Sequence, residues 1–470
     1  MKPKKTLLIG AGEAGRYIYS YITNNKQYPY DVVGFLDDNL DAKLEDKPHF
    51  GKLAGITHIA KSRGISCIIF AIPSLPTRDK QHFLLQCMEA NLEINILPEL
   101  TKILTNEKKF TMTSANYQHL IKRPEFQLKS DSVSEGIAGQ IILVTGAGGS
   151  IGSEICRQII KAQPETIILL GHGEGSIYEI HHELQKIEST TKLVPVIADI
   201  KDEFRITEIF DKYNPDIVYH AAAHKHVPLM EMSSYEAITN NIVGTQNLVR
   251  IATTFNTSKF VMISTDKAVK PSTIMGATKR LAEKVVQYYD TISPTTCCVV
   301  RFGNVLGSRG SVIPLFHNQL YNNEPITLTD PQMERYFMTI PEASKLVIQA
   351  SLLTKGAEIF VLDMGEPIKI IDLVYRLADL AGLEREHVDI NYIGIRAGEK
   401  VTEELFTETE RSPQQVYEKI FVGENIVTVH EINAIYELLQ SFRDDSECER
   451  RTELLRIANQ QKEENHVYAN

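Results

Sequence analysis

At 470 residues, with 43% apolar and 23% charged side chains, the chain has a soluble globular composition and is too long for one ordinary core, so two domains are expected. A formal net charge of −10 argues against wholesale binding to nucleic acid or an anionic membrane, and any anionic substrate must meet local Arg and Lys. The six cysteines (Cys67, Cys87, Cys156, Cys297, Cys298, Cys448) form no C-x-x-C pair and no zinc spacing, which reads as reduced thiols in a cytosolic setting.

In the first hundred residues, apolar runs at 6–10, 31–37, 67–73 and 94–98 read as buried strands of a parallel sheet, with a helix pattern in "AGEAGRYIYSYITNN" between the first two. The apolar runs are strand-sized, short of the ~20 residues a membrane helix needs. "MKPKKTLLIG" leads into a strand rather than a signal-peptide core. Residues 101–139 are polar and weakly periodic, which suits a linker or interdomain arm. A second series of strands follows at 141–146, 166–171, 193–198, 216–222, 259–265 and 296–303, separated by helix-length segments, the pattern of a doubly wound α/β sheet. Residues 426–470 are helical in pattern and heavily charged, and read as a surface appendage.

Two glycine loops, "GAGEAG" (Gly10, Gly12, Gly15) and "TGAGGSIG" (Gly146, Gly149, Gly152), each follow a strand and open a helix. In that context backbone amides approach a pyrophosphate closely and a helix N-terminus faces the charge, so both domains read as Rossmann-like. Asp37 and Asp38 end the second strand of the first domain, where an acid would meet a ribose. For that domain a second nucleotide or nucleotide-sugar ligand and a purely structural or regulatory role both stay open. In the second domain Gly171 stands where an NAD-selective acid is usual, which weakens the choice of NAD over NADP and leaves Glu174 or His172 as substitutes; NAD is the expectation, with NADP open. Asp199 is placed for the adenine edge.

"STDKAVKPSTIMGATK" resembles the catalytic segment of a short-chain dehydrogenase, in which a Tyr stands four residues before a Lys: Lys279 is present, but Met275 occupies the Tyr position, and a thioether moves no protons. "TGAGGSIGSE", "HAAAHKHVPLME", "NNIVGT", "ISTDKAVKP", "MGATKR", "RFGNVLGSRGSVIPLF", "RYFMTIPEA", "IFVLDMGEP" and "RAGEKVTEEL" occur in that order. Together they resemble the long UDP-N-acetylglucosamine 4,6-dehydratases of bacterial polysaccharide and glycan biosynthesis, in the extended short-chain dehydrogenase/reductase superfamily. The resemblance is dense over 140–425 and extends to the N-terminal domain.

The resemblance implies an α/β protein of two Rossmann-like domains, the second an extended short-chain dehydrogenase/reductase with a C-terminal substrate subdomain. It implies a tightly held NAD on Gly146, Gly149, Ser150, Ile151, Gly152, Asp199, Ile200, Ala221, Ala222, Ala223, Asn241 and Lys279. It makes Met275 a mark of the long group, which retains configuration at carbon 5. The chemistry oxidises carbon 4 so that the carbon 5 hydrogen becomes acidic, removes water across carbons 5 and 6, and returns the hydride to carbon 6. Asp266 is the candidate acid, held protonated by its surroundings. Lys267 is the candidate base, neutral when it acts. The proton of the carbon 4 hydroxyl falls to Thr265, Asp266 or a water, with Asp266 favoured and Thr265 assisting. Arg335 and Arg396 would clamp the diphosphate as guanidinium forks, with Asn304 on the same group, Glu399 on a ribose hydroxyl, and His224 and Lys225 toward the sugar or its phosphates.

His220, His224 and His226 lie close in sequence, but no carboxylate or Cys completes a metal site, so none is expected. Two rival functions stand: a nucleotide-sugar 4-epimerase, which needs no acid for carbon 6, and a non-catalytic nucleotide-sugar sensor, suggested by Met275 and the extra domain. No nucleic-acid partner is expected, and a homodimer is the expectation for the superfamily. Members of the long group often carry membrane helices, so the expected place is the cytoplasm, as a soluble protein or the soluble part of an inner-membrane one.

Overall fold

The computed structural model describes residues 4–24, 30–45, 47–72, 87, 92–95, 120–121, 126, 130–322, 324–381, 383, 385–406, 414–423 and 427–460. The chain divides into two compact units, Met1–Thr111 and Met112–Asn470. The first holds a four-stranded sheet in the order Tyr30–Leu36, Lys4–Ile9, Cys67–Phe70, Glu93–Asn95, with every neighbouring pair parallel. Leu7 and Ile9 bury into one apolar cluster and Leu8 into another, because alternate residues of a strand point to opposite faces. Both faces are covered, which is why the strands read as unbroken apolar runs. The third and fourth strands are shorter than expected, and residues 73 and 96–98 lie outside the described ones.

The second unit is built on a nine-stranded sheet. Its order is Gln414–Tyr417, Ile420–Gly423, Ile359–Leu362, Thr296–Phe302, Lys259–Thr265, Ile217–His220, Ile141–Thr145, Thr166–Gly171, Lys192–Ile197. The six expected strands are all present. Together with Ile359–Leu362, which the sequence showed only as a motif, they pair in parallel, and the hairpin 414–423 closes one edge antiparallel. The strand order reverses between Ile141–Thr145 and Ile217–His220, so a crevice opens at the carboxyl ends of those strands. A smaller core around Ile313, Phe316, Leu328, Phe337, Leu373 and Leu377 forms the substrate subdomain.

Two expected boundaries change. Leu120 and Ile121 bury in the subdomain core, and Phe126, Val133 and Ile137 in a core of the large sheet, so these parts of the expected linker 101–139 belong to the second unit. Within the expected appendage 426–470, the described residues 427–460 pack into the core. Helices Val429–Ser441 and Glu447–Ala458 both open with capping boxes, Thr428 with Glu431 and Ser446 with Glu449. Ile432, Ile435, Leu438, Leu454 and Ile457 bury in the same cluster as Leu281 and Val285 of the long helix Ile274–Ile292. Lys284, 2% exposed by its side chain, meets Glu431 at 3.2 Å. The misreading has a simple cause: one apolar stripe on each helix is outnumbered in sequence by charges on the other faces.

Ile435→Ala should therefore cost about 2–4 kcal/mol, as for a core aliphatic truncation, measured by urea unfolding. A loss below roughly 0.5 kcal/mol, the range for surface substitutions, would return these helices to the status of an appendage.

Candidate active site

The turn after Ile141–Thr145 needs glycine. Gly146 has φ +63°, and a Cβ on Gly152 would stand 2.2 Å from the Gly146 carbonyl oxygen. Helix Ser150–Ile159 starts directly from this loop with no acidic residue in its first turn, so its N-terminus suits an anion. A cavity of about 510 Å³ opens over Gly149, Ser150, Ile151 and Gly152 and runs past Ala221 and Ala223 to Met275 and Lys279. Lys279 is 5% exposed and donates to the Ile263 carbonyl at 2.7 Å. Burial pulls its ammonium down to about 8, against the opposing pull of Glu283. A glycine cradle, a helix N-terminus and a buried lysine on one elongated cavity fit a nicotinamide dinucleotide.

Asn241, Ile200 and Asp199, also expected at the cofactor, do not line this cavity. Asn241, 1% exposed, accepts from His224 N at 2.8 Å and donates to His224 O at 3.0 Å and Thr278 Oγ1 at 3.1 Å, so it pins the 221–226 loop rather than lining the cavity. It sits in a wide-turn helical segment, Thr239–Val243, of the kind often found at functional sites. Ile200 places its side chain in the core, and Asp199 is held by Lys201 through its backbone N at 2.9 Å and its Nζ at 3.5 Å. His220 is fully buried between Thr145 and Thr245 hydroxyls at 2.8 and 2.9 Å, and burial, with Lys279 adding to it, pushes its imidazole down to about 3. Among the described residues no group of three His, Cys, Asp or Glu side chains converges as for a metal ion.

A second cavity of about 560 Å³ lies toward the small subdomain, lined by Arg335, Arg396, Glu399, Lys400 and Glu403. Lys267, Asn304 and His226 line both cavities, so they stand where the two meet. Thr265 donates to Asp266 Oδ1 at 2.8 Å, Lys267 Nζ donates to the same oxygen at 3.0 Å, and Lys267 also donates to Asn304 Oδ1 at 3.1 Å. Asp266 is fully buried and lines neither cavity; its Oδ2 meets no hydrogen-bond partner among the described residues. Contrary to expectation, Asp266 itself faces neither cavity. The carboxyl is paired with Lys267, and Thr265 and Lys267 are the cavity-facing members.

Further corrections follow on the substrate side. His224 and Lys225 line the dinucleotide cavity, His224 bonded to Glu236 at 3.0 Å and Lys225 to Ser308 at 3.2 Å, with burial lowering the Lys225 ammonium. Arg335, 5% exposed, donates to the carbonyls of Glu334 and Val401 at 2.6 and 2.8 Å and lies 3.5 Å from Glu399, so its fork is already engaged. Arg396 is exposed at the cavity rim. Sequence reasoning missed Glu403 and Lys400, although both lie in the quoted motif "RAGEKVTEEL". In the first unit Gly10 has φ +99°, and Asp37 accepts from Ala11 N at 2.7 Å, so the expected ribose acid braces its own glycine loop. Asp38 accepts from Leu53 N at 3.0 Å.

Sheet order, glycine cradle and the Lys279 helix define an extended short-chain dehydrogenase/reductase. Residues 142–425 match the family described as polysaccharide biosynthesis protein, and the chain belongs to that family. Over 468 residues it is 45% identical to the capsular polysaccharide biosynthesis protein CapD of Staphylococcus aureus, covering 98% of this chain and 77% of CapD. Among solved structures, Pen from Bacillus thuringiensis superposes with a TM-score of 0.58 at 33% identity, covering 62% of this chain and 91% of Pen. A dTDP-glucose 4,6-dehydratase, DesIV from Streptomyces venezuelae, solved with NAD bound, shares the fold with a TM-score of 0.51 at 20% identity, over 56% of this chain and 88% of DesIV. Among the described residues no helix is long and apolar enough to cross a membrane.

Gly152→Ala should leave the purified protein folded but lower its bound dinucleotide at least about tenfold by acid extraction, because helix and turn must separate to admit the methyl. Cofactor content equal to the unmodified protein would show that this loop is not the cradle.

Proposed function

We propose that the chain is an NAD-dependent UDP-N-acetylglucosamine 4,6-dehydratase, forming UDP-2-acetamido-2,6-dideoxy-hexos-4-ulose with carbon 5 retained, for bacterial surface polysaccharide or glycan synthesis. The observation that carries it is the Thr265–Asp266–Lys267 group at the meeting of the two cavities. DesIV, a dTDP-glucose 4,6-dehydratase with bound NAD, and the family of CapD support the reading by analogy.

Bound nicotinamide would take the carbon 4 hydride and return it to carbon 6. The remaining balance is in protons: one leaves the carbon 4 hydroxyl, one departs in water with the carbon 6 hydroxyl, and one is removed from carbon 5 and put back. A single group can carry the first proton to the second position. Thr265 passes its own proton to Asp266 as it accepts that of the carbon 4 hydroxyl, and the transfer runs in reverse toward the carbon 6 oxygen. An ionised Asp266 at rest is therefore the required state, and its pairing with Lys267 at 3.0 Å agrees with it. Lys267 handles carbon 5 from the cavity wall. Met275, 3% exposed beside Lys279, fills the Tyr position with an apolar group, leaving the proton traffic to Thr265 and Asp266. Arg396 and Lys400 supply positive charge for the diphosphate.

Incubated with UDP-N-acetylglucosamine in deuterated water without added cofactor, the protein should release a product lighter by one water, with deuterium at carbon 5 and a new methyl group by proton NMR. A product of unchanged mass inverted at carbon 4 would replace the dehydratase by an epimerase, and binding without turnover by a sensor. Asp266→Asn should lower kcat by about 10²–10⁴, the usual range for general acid–base groups. Activity within about threefold of the unmodified protein would remove Asp266 from the proton path.

A further inference from the structure

Glu403 is the feature of the site that the reaction above does not use. It follows the exposed residues Val401 and Thr402, yet its own side chain turns inward and is 6% exposed. Arg335 staples this segment by donating to the Val401 carbonyl, and Glu334 N donates to the same oxygen at 2.9 Å. Glu403 Oε1 is thereby held 3.8 Å from Lys267 Nζ and 3.9 Å from Arg335 Nε, on the wall of the substrate cavity. Lys267 thus has two buried carboxyls within reach, Asp266 at 3.0 Å and Glu403 at 3.8 Å.

This geometry bears on a difficulty in the reaction. Lys267 rests as an ammonium paired with Asp266, but the base that removes the carbon 5 proton must be neutral. Its proton needs somewhere to go that is neither the substrate nor solvent. Resting on the dehydratase reading above, we propose that Glu403 is the proton store of the site, a positioning residue that takes the Lys267 proton before elimination and returns it at the end of the cycle.

The balance closes. Asp266 gains the carbon 4 hydroxyl proton through Thr265 and becomes neutral, so Lys267 loses the charge that held it. The ammonium swings from Asp266 toward Glu403, closing roughly 1 Å to hydrogen-bond distance, and hands over one proton. Neutral Lys267 then takes the carbon 5 proton while Asp266 gives its own, through Thr265, to the departing hydroxyl. After hydride return Lys267 reprotonates carbon 5, and Glu403 recharges Lys267. No proton is left over and no further reactant is needed.

The surroundings of Glu403 suit an exchangeable proton. Burial raises its carboxyl above the usual range and Asp266 adds to this, while Lys267, Arg335 and Lys400 pull it back. Glu399 faces Arg335 from the same segment and draws on its charge. A carboxyl balanced in this way binds and releases a proton more readily near neutral pH than an exposed glutamate does.

The test is Glu403→Gln, mixed with UDP-N-acetylglucosamine as the holoenzyme and followed by the near-ultraviolet absorbance of reduced nicotinamide together with product mass. Carbon 4 oxidation should proceed and stop there: reduced cofactor accumulates, kcat falls about 100-fold, and KM stays within about threefold. Glu403→Asp, which keeps the acid, should recover at least about a tenth of kcat, and the acid limb of its kcat profile should move from that of the unmodified protein. Turnover of the Gln variant at the unmodified rate, failure before cofactor reduction, or an unmoved acid limb in the Asp variant would each overturn the proposal. The unmodified protein serves as control: no product from it would defeat the dehydratase reading itself, whereas product from it with a silent Glu403→Gln effect would defeat only the proton store.

Discussion

Glu283 and Arg301 are both fully buried and join in a two-pronged pair, Nε to Oε1 at 2.8 Å and Nη2 to Oε2 at 2.7 Å, with Ser264 Oγ adding a bond to Oε1 at 2.5 Å. Three elements meet there: the helix carrying Met275 and Lys279, the strand ending in Thr265, and the neighbouring strand Thr296–Phe302. Ser264 and Arg301 are directly opposite in the parallel register. The two charges satisfy each other in a place where either alone would cost several kcal/mol. Burial opposes ionisation of Glu283, but Arg301, Arg280 and Ser264 together hold its carboxyl below the usual range. The pair touches no substrate space, yet it sets the position of Lys279 one helical turn away relative to Thr265 and Asp266.

From that fixed point the site divides its tasks by depth. Asp266 is fully buried, and among the described residues its side chain is bonded to Thr265 and Lys267. Lys267 and Asn304 occupy the seam between the two cavities. Around the substrate cavity, opposite charges alternate through Arg335, Glu399, Lys400 and Glu403. An acidic chain of net charge −10 thereby keeps its positive charge where a diphosphate would lie.

Much of the fold was legible because parallel strands covered on both faces leave unbroken apolar runs, and all six expected strands of the large sheet are present. Ile359–Leu362 and the hairpin 414–423 were not assigned as strands, for their short apolar runs resemble loop packing until a sheet edge receives them. The C-terminal helices were visible as helices but not as core, since burial of Ile435 and Leu454 depends on a groove made by distant residues of the chain. Asp266 and Lys267 were legible as a pair from their place at a strand end. Their depth was not, because the same dipeptide could have offered its carboxyl to the cavity.

The sequence by itself determined six strands of the large sheet, the glycine cradle, the Tyr-to-Met replacement and the stock of acids and bases. These depend on local periodicity, on backbone angles open to glycine, and on the chemistry of single side chains. Only the tertiary structure decided which partner each charge takes. It committed Arg335 to Val401 and Glu399, turned His224 toward Glu236, drew Asn304 to Lys267, and brought Glu403 within 3.8 Å of that lysine. Such pairings form between residues up to 136 positions apart, as with Lys267 and Glu403. They depend on distances of a few ångströms in space, which spacing along the chain does not encode.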